Sequence, residues 1–186
     1  MKLLALLGSP RKEGNTSFLL DEYLKGIKES NKDVEVTKVY LHGKNIHYCN
    51  GCNVCRTVTI GECVIKDDMQ ELYKKFNESK LIIFATPIYW WGISSQLKTF
   101  LDRTNAFDVQ GGKYFKDKMI SVLMTYELNL PNKGPELIKT SFQEICKYTK
   151  MNLLDVYGAC TSNYSHIKED TLVLKEVFEM GLRILL

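Results

Sequence analysis

The chain has 186 residues, of which 45% are hydrophobic and 25% are charged, and its formal net charge at pH 7 is +3. This length and balance suit one globular domain that can bury a sizeable core. Because acidic and basic residues are interleaved along the predicted helices, we expect no nucleic-acid partner, and no apolar run is long enough to predict a membrane span.

Apolar patterning predicts strands and helices in strict alternation. Short apolar runs predict five strands, at 2–7, 33–41, 80–86, 118–126 and 152–160. Apolar residues at helical spacing predict five helices, at 16–30, from 69, from about 94, at 135–149 and at 168–185. An irregular, cysteine-bearing loop at about 42–66 follows the second strand.

This alternation predicts a parallel sheet with right-handed crossovers and helices on both faces. Five strands favour a flavodoxin-like, doubly wound α/β fold of three layers, with the strand order 2-1-3-4-5. In that order ligands bind beyond the carboxyl ends of the first and third strands. We therefore expect residues 8–17 and 86–94 to form one site.

The loop at 8–17 joins a buried strand to a helix and is rich in glycine, hydroxyl and amide groups. Free N–H groups at a helix start favour an anion, and an arginine adds a charge-assisted fork. The loop lacks both the Gly-Lys-Ser/Thr ending of a P-loop and the G-x-G-x-x-G dinucleotide fingerprint. The alternative is an ordinary capped turn with a surface arginine. The predicted contacts to a terminal phosphate are Ser9, Arg11, Asn15, Thr16 and Ser17.

The loop after the third strand is strongly aromatic. Such side chains can wall a flat heteroaromatic ring, and the backbone N–H groups at 89–92 can bond its polar atoms. A hydrophobic contact between subunits is the alternative for one of the two tryptophans. A phosphate site beside an aromatic wall fits FMN. The predicted ring contacts are Pro87, Ile88, Tyr89, Trp90, Trp91 and Gly92.

Several motifs together resemble those of the NAD(P)H-dependent FMN reductase and iron–sulfur flavoprotein family. They are Gly8-Ser-Pro-Arg, Gly14-Asn-Thr-Ser, Cys49-x-Gly-Cys-x-x-Cys, Gly61-x-Cys-Val-Ile-Lys-Asp-Asp-Met, Pro87-Ile-Tyr and Asp102-Arg103. The resemblance implies one flavodoxin-like FMN-binding domain over 1–186, the phosphate and ring contacts given above, and an approach to the ring by Thr125 and Tyr126. It also implies oligomerisation through the flavin edge, as a homodimer or homotetramer.

Four of the six cysteines follow a C-x₂-C-x₂-C-x₇-C pattern, at Cys49, Cys52, Cys55 and Cys63. Three thiolates at this spacing can wrap one face of a cubane, and a fourth from the same loop can close the set. The pattern resembles the compact motif that holds a [4Fe–4S] cluster in iron–sulfur flavoproteins. Free thiols, a disulfide or zinc are the alternatives, although zinc sites of four cysteines usually use two separated knuckles.

These features predict an FMN-dependent oxidoreductase that passes electrons from NAD(P)H through FMN to a quinone, a nitro or azo compound, or an electron carrier. The alternative is an electron-transfer protein in which FMN and a [4Fe–4S] cluster serve ferredoxin-like partners. A third interpretation is a flavodoxin-like scaffold that binds partners through its tryptophans. No side chain is predicted to act as a catalytic acid or base.

Two further expectations concern the start of the chain and its charged pairs. The N-terminus superficially resembles a short signal peptide, but its apolar part continues into the phosphate loop, so we expect a core strand and a cytoplasmic protein. We expect Asp67 and Asp68 to cap the helix that follows them, and Asp102 and Arg103 to form a structural ion pair.

Overall fold

The computed structural model describes residues 1–162 and 166–184. Within them five parallel strands form one sheet in the order β2-β1-β3-β4-β5. This confirms the predicted flavodoxin-like order, and the observed strand bounds lie within two residues of the predicted ones. The strands are β1 (Lys2–Leu7), β2 (Glu35–Tyr40), β3 (Leu81–Pro87), β4 (Met119–Tyr126) and β5 (Asn152–Cys160).

The helices cover both faces of the sheet. The α-helices in the described part are α1 (Asn15–Ser30), α2 (Val54–Thr57), α3 (Met69–Glu78), α4 (Ser95–Arg103), α5 (Gly134–Thr149) and α6 (Thr171–Leu182). Short 3₁₀ turns lie at Leu41–Gly43, Thr104–Phe107, Gln110–Gly112 and Ile167–Glu169. Helix α2 falls inside the predicted cysteine loop and was not predicted.

The last helix begins three residues later than predicted. The Asp170 carboxylate accepts a hydrogen bond from the Val173 N–H at 3.1 Å, so it caps α6 at this point. Leu185, the predicted end, lies outside the described residues. None of the helices that the structure describes is long and apolar enough to cross a membrane.

Alternate residues of the central strands point into two separate cores. On β1, Leu3, Ala5 and Leu7 join the core beneath α1 and α6, whereas Leu4 and Leu6 join the core beneath α3, α4 and α5. The same alternation continues along β3. A strand buried on both faces must be apolar at every position, and this is why the run at 2–7 predicts the strand so well.

Helices α1 and α6 cross at two glycines. A Cβ atom on Gly26 would lie 2.1 Å from the Phe178 carbonyl oxygen, and one on Gly181 would lie 2.3 Å from the Tyr23 carbonyl oxygen. Any side chain here would force the backbones apart. The crossing fixes the position of α1, whose amino end directly follows the loop after β1.

The loops after β1 and β3 meet at the carboxyl edge of the sheet. The Gly8 N–H donates to the Ala85 carbonyl at 2.8 Å, and a Cβ on Gly8 would meet Ser94 Oγ at 2.8 Å. The chain therefore brings the two predicted site loops into direct contact at the switch point of the sheet.

Candidate functional site

A cleft of about 280 Å³ opens at this edge of the sheet. It is lined by three loops, those after β1, β3 and β4, and by one residue that follows β5. Nine of the predicted cofactor contacts line it, namely Ser9, Arg11, Asn15, Thr16, Pro87, Ile88, Tyr89, Thr125 and Tyr126. Gly14, Glu127 and Thr161 also line the cleft and were not predicted.

The amino end of α1 faces this cleft without a side-chain cap. Its N-cap residue is Gly14, and its first turn carries no acidic residue. By contrast, the Ser94 hydroxyl caps α4 by accepting from the Leu97 N–H at 3.3 Å. Because the first N–H groups of a helix have no partner inside the helix, the start of α1 offers donors and a positive dipole end to an anion.

Polar side chains around this helix start are held by bonds across the sheet edge. The Thr16 and Thr125 hydroxyls lie 2.7 Å apart, and the Asn15 Oδ1 accepts from the Ile167 N–H at 2.9 Å. The Ser9 hydroxyl accepts from the Arg11 N–H at 3.1 Å. These bonds fix the wall of the cleft and leave the Asn15 NH₂ group and the exposed Arg11 guanidinium as further donors.

Ser17 does not line the cleft. Its hydroxyl accepts a hydrogen bond from the Lys38 Nζ at 2.9 Å, and Lys38 also pairs with Asp21 at 2.6 Å. Ser17 follows Thr16, the last residue of α1 that lines the cleft. Because successive side chains on a helix are rotated by about 100°, Ser17 faces β2 instead. The structure therefore places it apart from the other four predicted phosphate contacts.

The aromatic loop forms a tight turn in an uncommon conformation. The backbones of Tyr89 and Gly92 exchange two hydrogen bonds, of 3.0 and 2.9 Å, around Trp90 and Trp91. Both tryptophans have positive φ, 48° and 60°, which is costly for bulky side chains. The turn's own bonds do not use the N–H groups of its two central residues, Trp90 and Trp91.

The tryptophan side chains point away from the cleft that the polar loops share. Trp90 is 92% exposed and Trp91 is 48% exposed. Trp91 lines a separate, larger cleft of about 740 Å³, whose other walls include Met124, Leu128 and Pro131. The structure thus places the Tyr89 ring beside the polar cleft and leaves Trp90, Trp91 and Gly92 outside its lining.

Cys49, Cys52, Cys55 and Cys63 line one small cavity of about 20 Å³, together with Arg103. All four are free thiols. In residues 1–162 and 166–184, no three Cys, His, Asp or Glu side chains are close enough together to hold a single metal ion. The donors in this lining, four cysteine thiols, are of the kind that iron–sulfur clusters use.

The thiols also lie within electrostatic reach of one another. Burial raises the pKa of the Cys55 thiol, and the charges of Cys63, Cys52 and Cys49 raise it further. Bringing four thiolates together is unfavourable unless a cation compensates them, and a metal centre supplies that compensation. Cys146 lies elsewhere in the core, where burial raises its pKa to about 11.

A buried ion pair closes the cysteine cavity. The Arg103 Nη1 lies 2.7 Å from the Asp67 Oδ2, and their side chains are 0% and 1% exposed. Arg103 also donates to the backbone carbonyls of His47 at 2.7 Å and of Ile65 at 3.2 Å. Since these carbonyls flank the four cysteines in sequence, the guanidinium ties both ends of the cysteine loop together.

This pair corrects two expectations about the acidic residues. Arg103 pairs with Asp67, and its neighbour Asp102 pairs instead with Lys98 at the surface, at 2.6 Å. Burial opposes ionisation of Asp67, but hydrogen bonds from Arg103 and from the His47 and Met69 N–H groups hold the pKa of this carboxyl below its usual value. Capping a helix is therefore only part of what Asp67 does.

A model of the NADPH-dependent FMN reductase family matches residues 1–129. The chain belongs to this family. Membership confirms the resemblance that the sequence motifs predict.

Two relatives and one solved structure describe the similarity further. Iron–sulfur flavoproteins of Archaeoglobus fulgidus and Methanocaldococcus jannaschii are 47% identical over 103 residues and 41% over 104, which are 55% and 56% of this chain. These matches cover 45% and 52% of the relatives, so the chain spans about half their length. An azoreductase from Bacillus anthracis superposes with a TM-score of 0.72 at 17% identity, over 99% of this chain and 100% of that one, which confirms the fold.

The motifs did not predict Thr161 in the cleft and gave Arg103 the wrong partner, yet the sequence carries a signal for each residue. Thr161 directly follows β5, and the carboxyl ends of parallel strands meet at one edge of a sheet. Arg103 lies three and six residues after Phe100 and Leu97, on the buried face of α4. A charged residue on an apolar stripe needs a buried partner, so the spacing alone marked it for attention.

Proposed function

We propose that the chain is an FMN-dependent oxidoreductase that takes electrons from NAD(P)H. The observation that carries this proposal is the cleft where the uncapped start of α1 meets the strained turn at 89–92. One wall offers donors to a dianionic phosphate, and the other, which contains Pro87, Ile88 and Tyr89, would receive a flat ring next to the turn at 89–92. The name of the family, NADPH-dependent FMN reductase, supports the same assignment.

In this proposal the protein positions the cofactor. Ser9, Arg11, Asn15 and Thr16 hold the phosphate, and Pro87–Gly92 with Thr125 and Tyr126 orient the ring. FMN held by these residues would supply the hydride-transfer chemistry with NAD(P)H. Ser17 supports the helix start through Lys38, and the tryptophans cover the open side of the ring or contact a second subunit. No side chain has to transfer a proton.

Acceptor, assembly and location are part of the proposal. The electrons pass to a quinone, a nitro or azo compound, or a redox protein. The exposed Trp90 and Trp91 support a homodimer or homotetramer formed at the flavin edge, because large exposed aromatic groups are typical of interface cores. We propose a cytoplasmic location for this assembly.

The cysteine cavity supports a second function, electron transfer through a [4Fe–4S] cluster. Cys49, Cys52, Cys55 and Cys63 would be its ligands, since their four sulfurs share one cavity closed by Arg103. Relatives named iron–sulfur flavoproteins match 55% and 56% of the chain. In this version the cluster would supply one-electron chemistry beside FMN, and a ferredoxin-like protein would be the partner.

Binding of FMN and of riboflavin to the apoprotein tests the phosphate site. Riboflavin lacks the phosphate, so loss of a phosphate contact weakens FMN binding alone. Arg11→Ala removes a charge-assisted hydrogen bond worth about 1.5–3 kcal/mol, which corresponds to roughly a ten- to hundredfold rise in the Kd for FMN. Flavin fluorescence titration measures both constants.

Lys12→Ala is the matched control, because Lys12 is an exposed neighbouring cation that does not line the cleft. We expect this variant to bind both flavins as the wild type does. Equal losses for FMN and riboflavin in Arg11→Ala, or no loss of either, would remove Arg11 from the phosphate site. Failure of the wild-type protein to bind FMN would overturn the proposed function itself.

A further inference from the structure

One nitrogen of Arg103 is buried without a hydrogen-bond partner. The terminal nitrogens, Nη1 and Nη2, make four hydrogen bonds, two to Asp67 and one each to the His47 and Ile65 carbonyls. The remaining nitrogen, Nε, has no acceptor among the residues that the structure describes. Leaving a buried donor of a charged group unpaired is costly, so such a group calls for an explanation.

The position of Arg103 identifies the missing acceptor. Arg103 lines the same small cavity as Cys49, Cys52, Cys55 and Cys63, and it is 2% exposed. Four of the residues that share this cavity wall are cysteines, and three are asparagines, Asn50, Asn53 and Asn105, none of which accepts a hydrogen bond from Nε. Thiolate sulfur accepts hydrogen bonds, and hydrogen bonds to sulfur are one of the means by which proteins set the potential of iron–sulfur centres.

We propose that Arg103 is a positioning residue for the cluster: its Nε–H donates to a sulfur of the centre, and its charge stabilises the reduced state. This inference rests on the proposed [4Fe–4S] site. The pair formed with Asp67 gives the guanidinium a fixed orientation, because both terminal nitrogens are already committed. The same bonds hold His47 and Ile65, so one side chain both shapes the loop and sets the charge beside it.

Removing the charge of Arg103 and removing the charge of Asp67 should shift the reduction potential of the cluster in opposite directions. Reduction adds one electron from an external reductant to a centre that already carries four thiolates, and no bond of the protein forms or breaks. A buried cation favours the more negative, reduced state, and a buried carboxylate disfavours it. Removing the charge of Arg103 therefore lowers the reduction potential, whereas removing the charge of Asp67 raises it.

An anaerobic redox titration of the reconstituted protein, followed by visible and EPR spectroscopy, tests this prediction. At a fixed potential, we expect Arg103→Gln to reduce the ratio of reduced to oxidised cluster at least tenfold, a shift of about 59 mV for a one-electron couple. Asp67→Asn should increase that ratio. Asp102→Asn is the matched control, since Asp102 is a solvent-screened neighbour paired with Lys98, and we expect less than a twofold change.

Arg103→Lys provides a second route if Arg103→Gln does not fold. Lysine keeps the positive charge but lacks the Nε–H, so we expect a smaller decrease in the ratio than for glutamine. Shifts of the same sign in Arg103→Lys and Asp67→Asn, or no shift in either, would overturn the inference while leaving the cluster in place. A wild-type protein that takes up no iron on reconstitution would overturn the proposed cluster and this inference with it.

Discussion

The polar cleft and the cysteine cavity differ in where their polar groups find partners. In the cleft, the start of α1 has no cap, Arg11 is exposed, and the N–H groups of Trp90 and Trp91 are outside the bonds of their turn. In the cysteine cavity, the terminal nitrogens of Arg103 pair with Asp67 away from water, and the Arg103 Nε has no partner among the described residues. The cleft leaves its donors for a ligand, whereas the cavity is shaped in advance by contacts within the chain.

The largest expected effect is the loss of bound iron when one of the four cysteines is replaced. Cys55→Ser replaces the most buried of the four sulfurs with a hydroxyl, which is a poor ligand for iron. We expect loss of nearly all bound iron after anaerobic reconstitution, with FMN binding retained because the cleft is separate. Cys146→Ala, which removes a core thiol outside the cavity, is the control. Equal iron in Cys55→Ser and the wild type would contradict the assignment of the ligands.

The next largest effect is a loss of unfolding free energy when the buried ion pair beside the cysteine cavity is broken. Arg103→Gln leaves Asp67 as an uncompensated buried charge, and breaking such a pair costs about 3–5 kcal/mol of unfolding free energy. Denaturant unfolding of the apoprotein at neutral pH measures this loss. A loss below about 1 kcal/mol would mean that the pair behaves as an exposed one.

The pH dependence of stability in the same variant is expected to differ from that of the wild type. In the wild type the pKa of Asp67 is lowered from its usual 3.8, so its stabilising contribution is complete above that value and is lost as pH falls below it. Without Arg103, only the backbone hydrogen bonds from His47 and Met69 oppose the effect of burial, so we expect the pKa of Asp67 to lie above its wild-type value and acid to destabilise the variant less than the wild type. Parallel pH profiles for the two proteins would contradict this account.

A smaller effect on stability is expected from relieving the backbone strain in the turn at 89–92. Trp90→Asn places a residue that tolerates positive φ at the first central position of the turn, and we expect the unfolding free energy to rise by about 0.5–1 kcal/mol. Trp90→Ala is the control, because alanine keeps the unfavourable conformation. Equal stability of the asparagine and alanine variants would show that the turn carries no strain.

The smallest effect comes from an exposed pair beside Arg103. Asp102→Asn breaks the ion pair with Lys98. The side chains of Lys98 and Asp102 are 57% and 44% exposed. We expect the unfolding free energy to fall by about 0.5 kcal/mol or less, and added salt to remove the difference. A loss comparable with that of Arg103→Gln would erase the distinction between the buried and the exposed pair.

The sequence predicts the fold well because strand burial and helix periodicity leave direct marks on it. The run at 152–160 is the observed β5 to the residue, and the convergence of the loops after β1 and β3 follows from strand order alone. Boundaries set by hydrogen bonds are harder to predict. Helix α6 begins where the Asp170 carboxylate caps it, and local pattern does not distinguish that carboxylate from its neighbours.

The departures in the site arise from contacts between distant parts of the chain. Ser17 lies in the phosphate motif, yet Lys38 of β2 binds its hydroxyl. Arg103 pairs with a carboxylate 36 positions earlier instead of the adjacent one, because α4 turns its buried face toward the cysteine loop. Motif spacing identifies the chemistry of a loop, and tertiary packing decides which side of it each side chain faces.

An anaerobic visible spectrum with iron analysis, recorded before and after addition of NADH and then NADPH, tests the central claim most directly. The account predicts one FMN per chain, about four iron atoms per chain after reconstitution, and bleaching of the flavin by at least one of the two nucleotides. A protein that binds no flavin would contradict the assignment of the cleft. A flavin that neither nucleotide bleaches would contradict the proposed oxidoreductase activity.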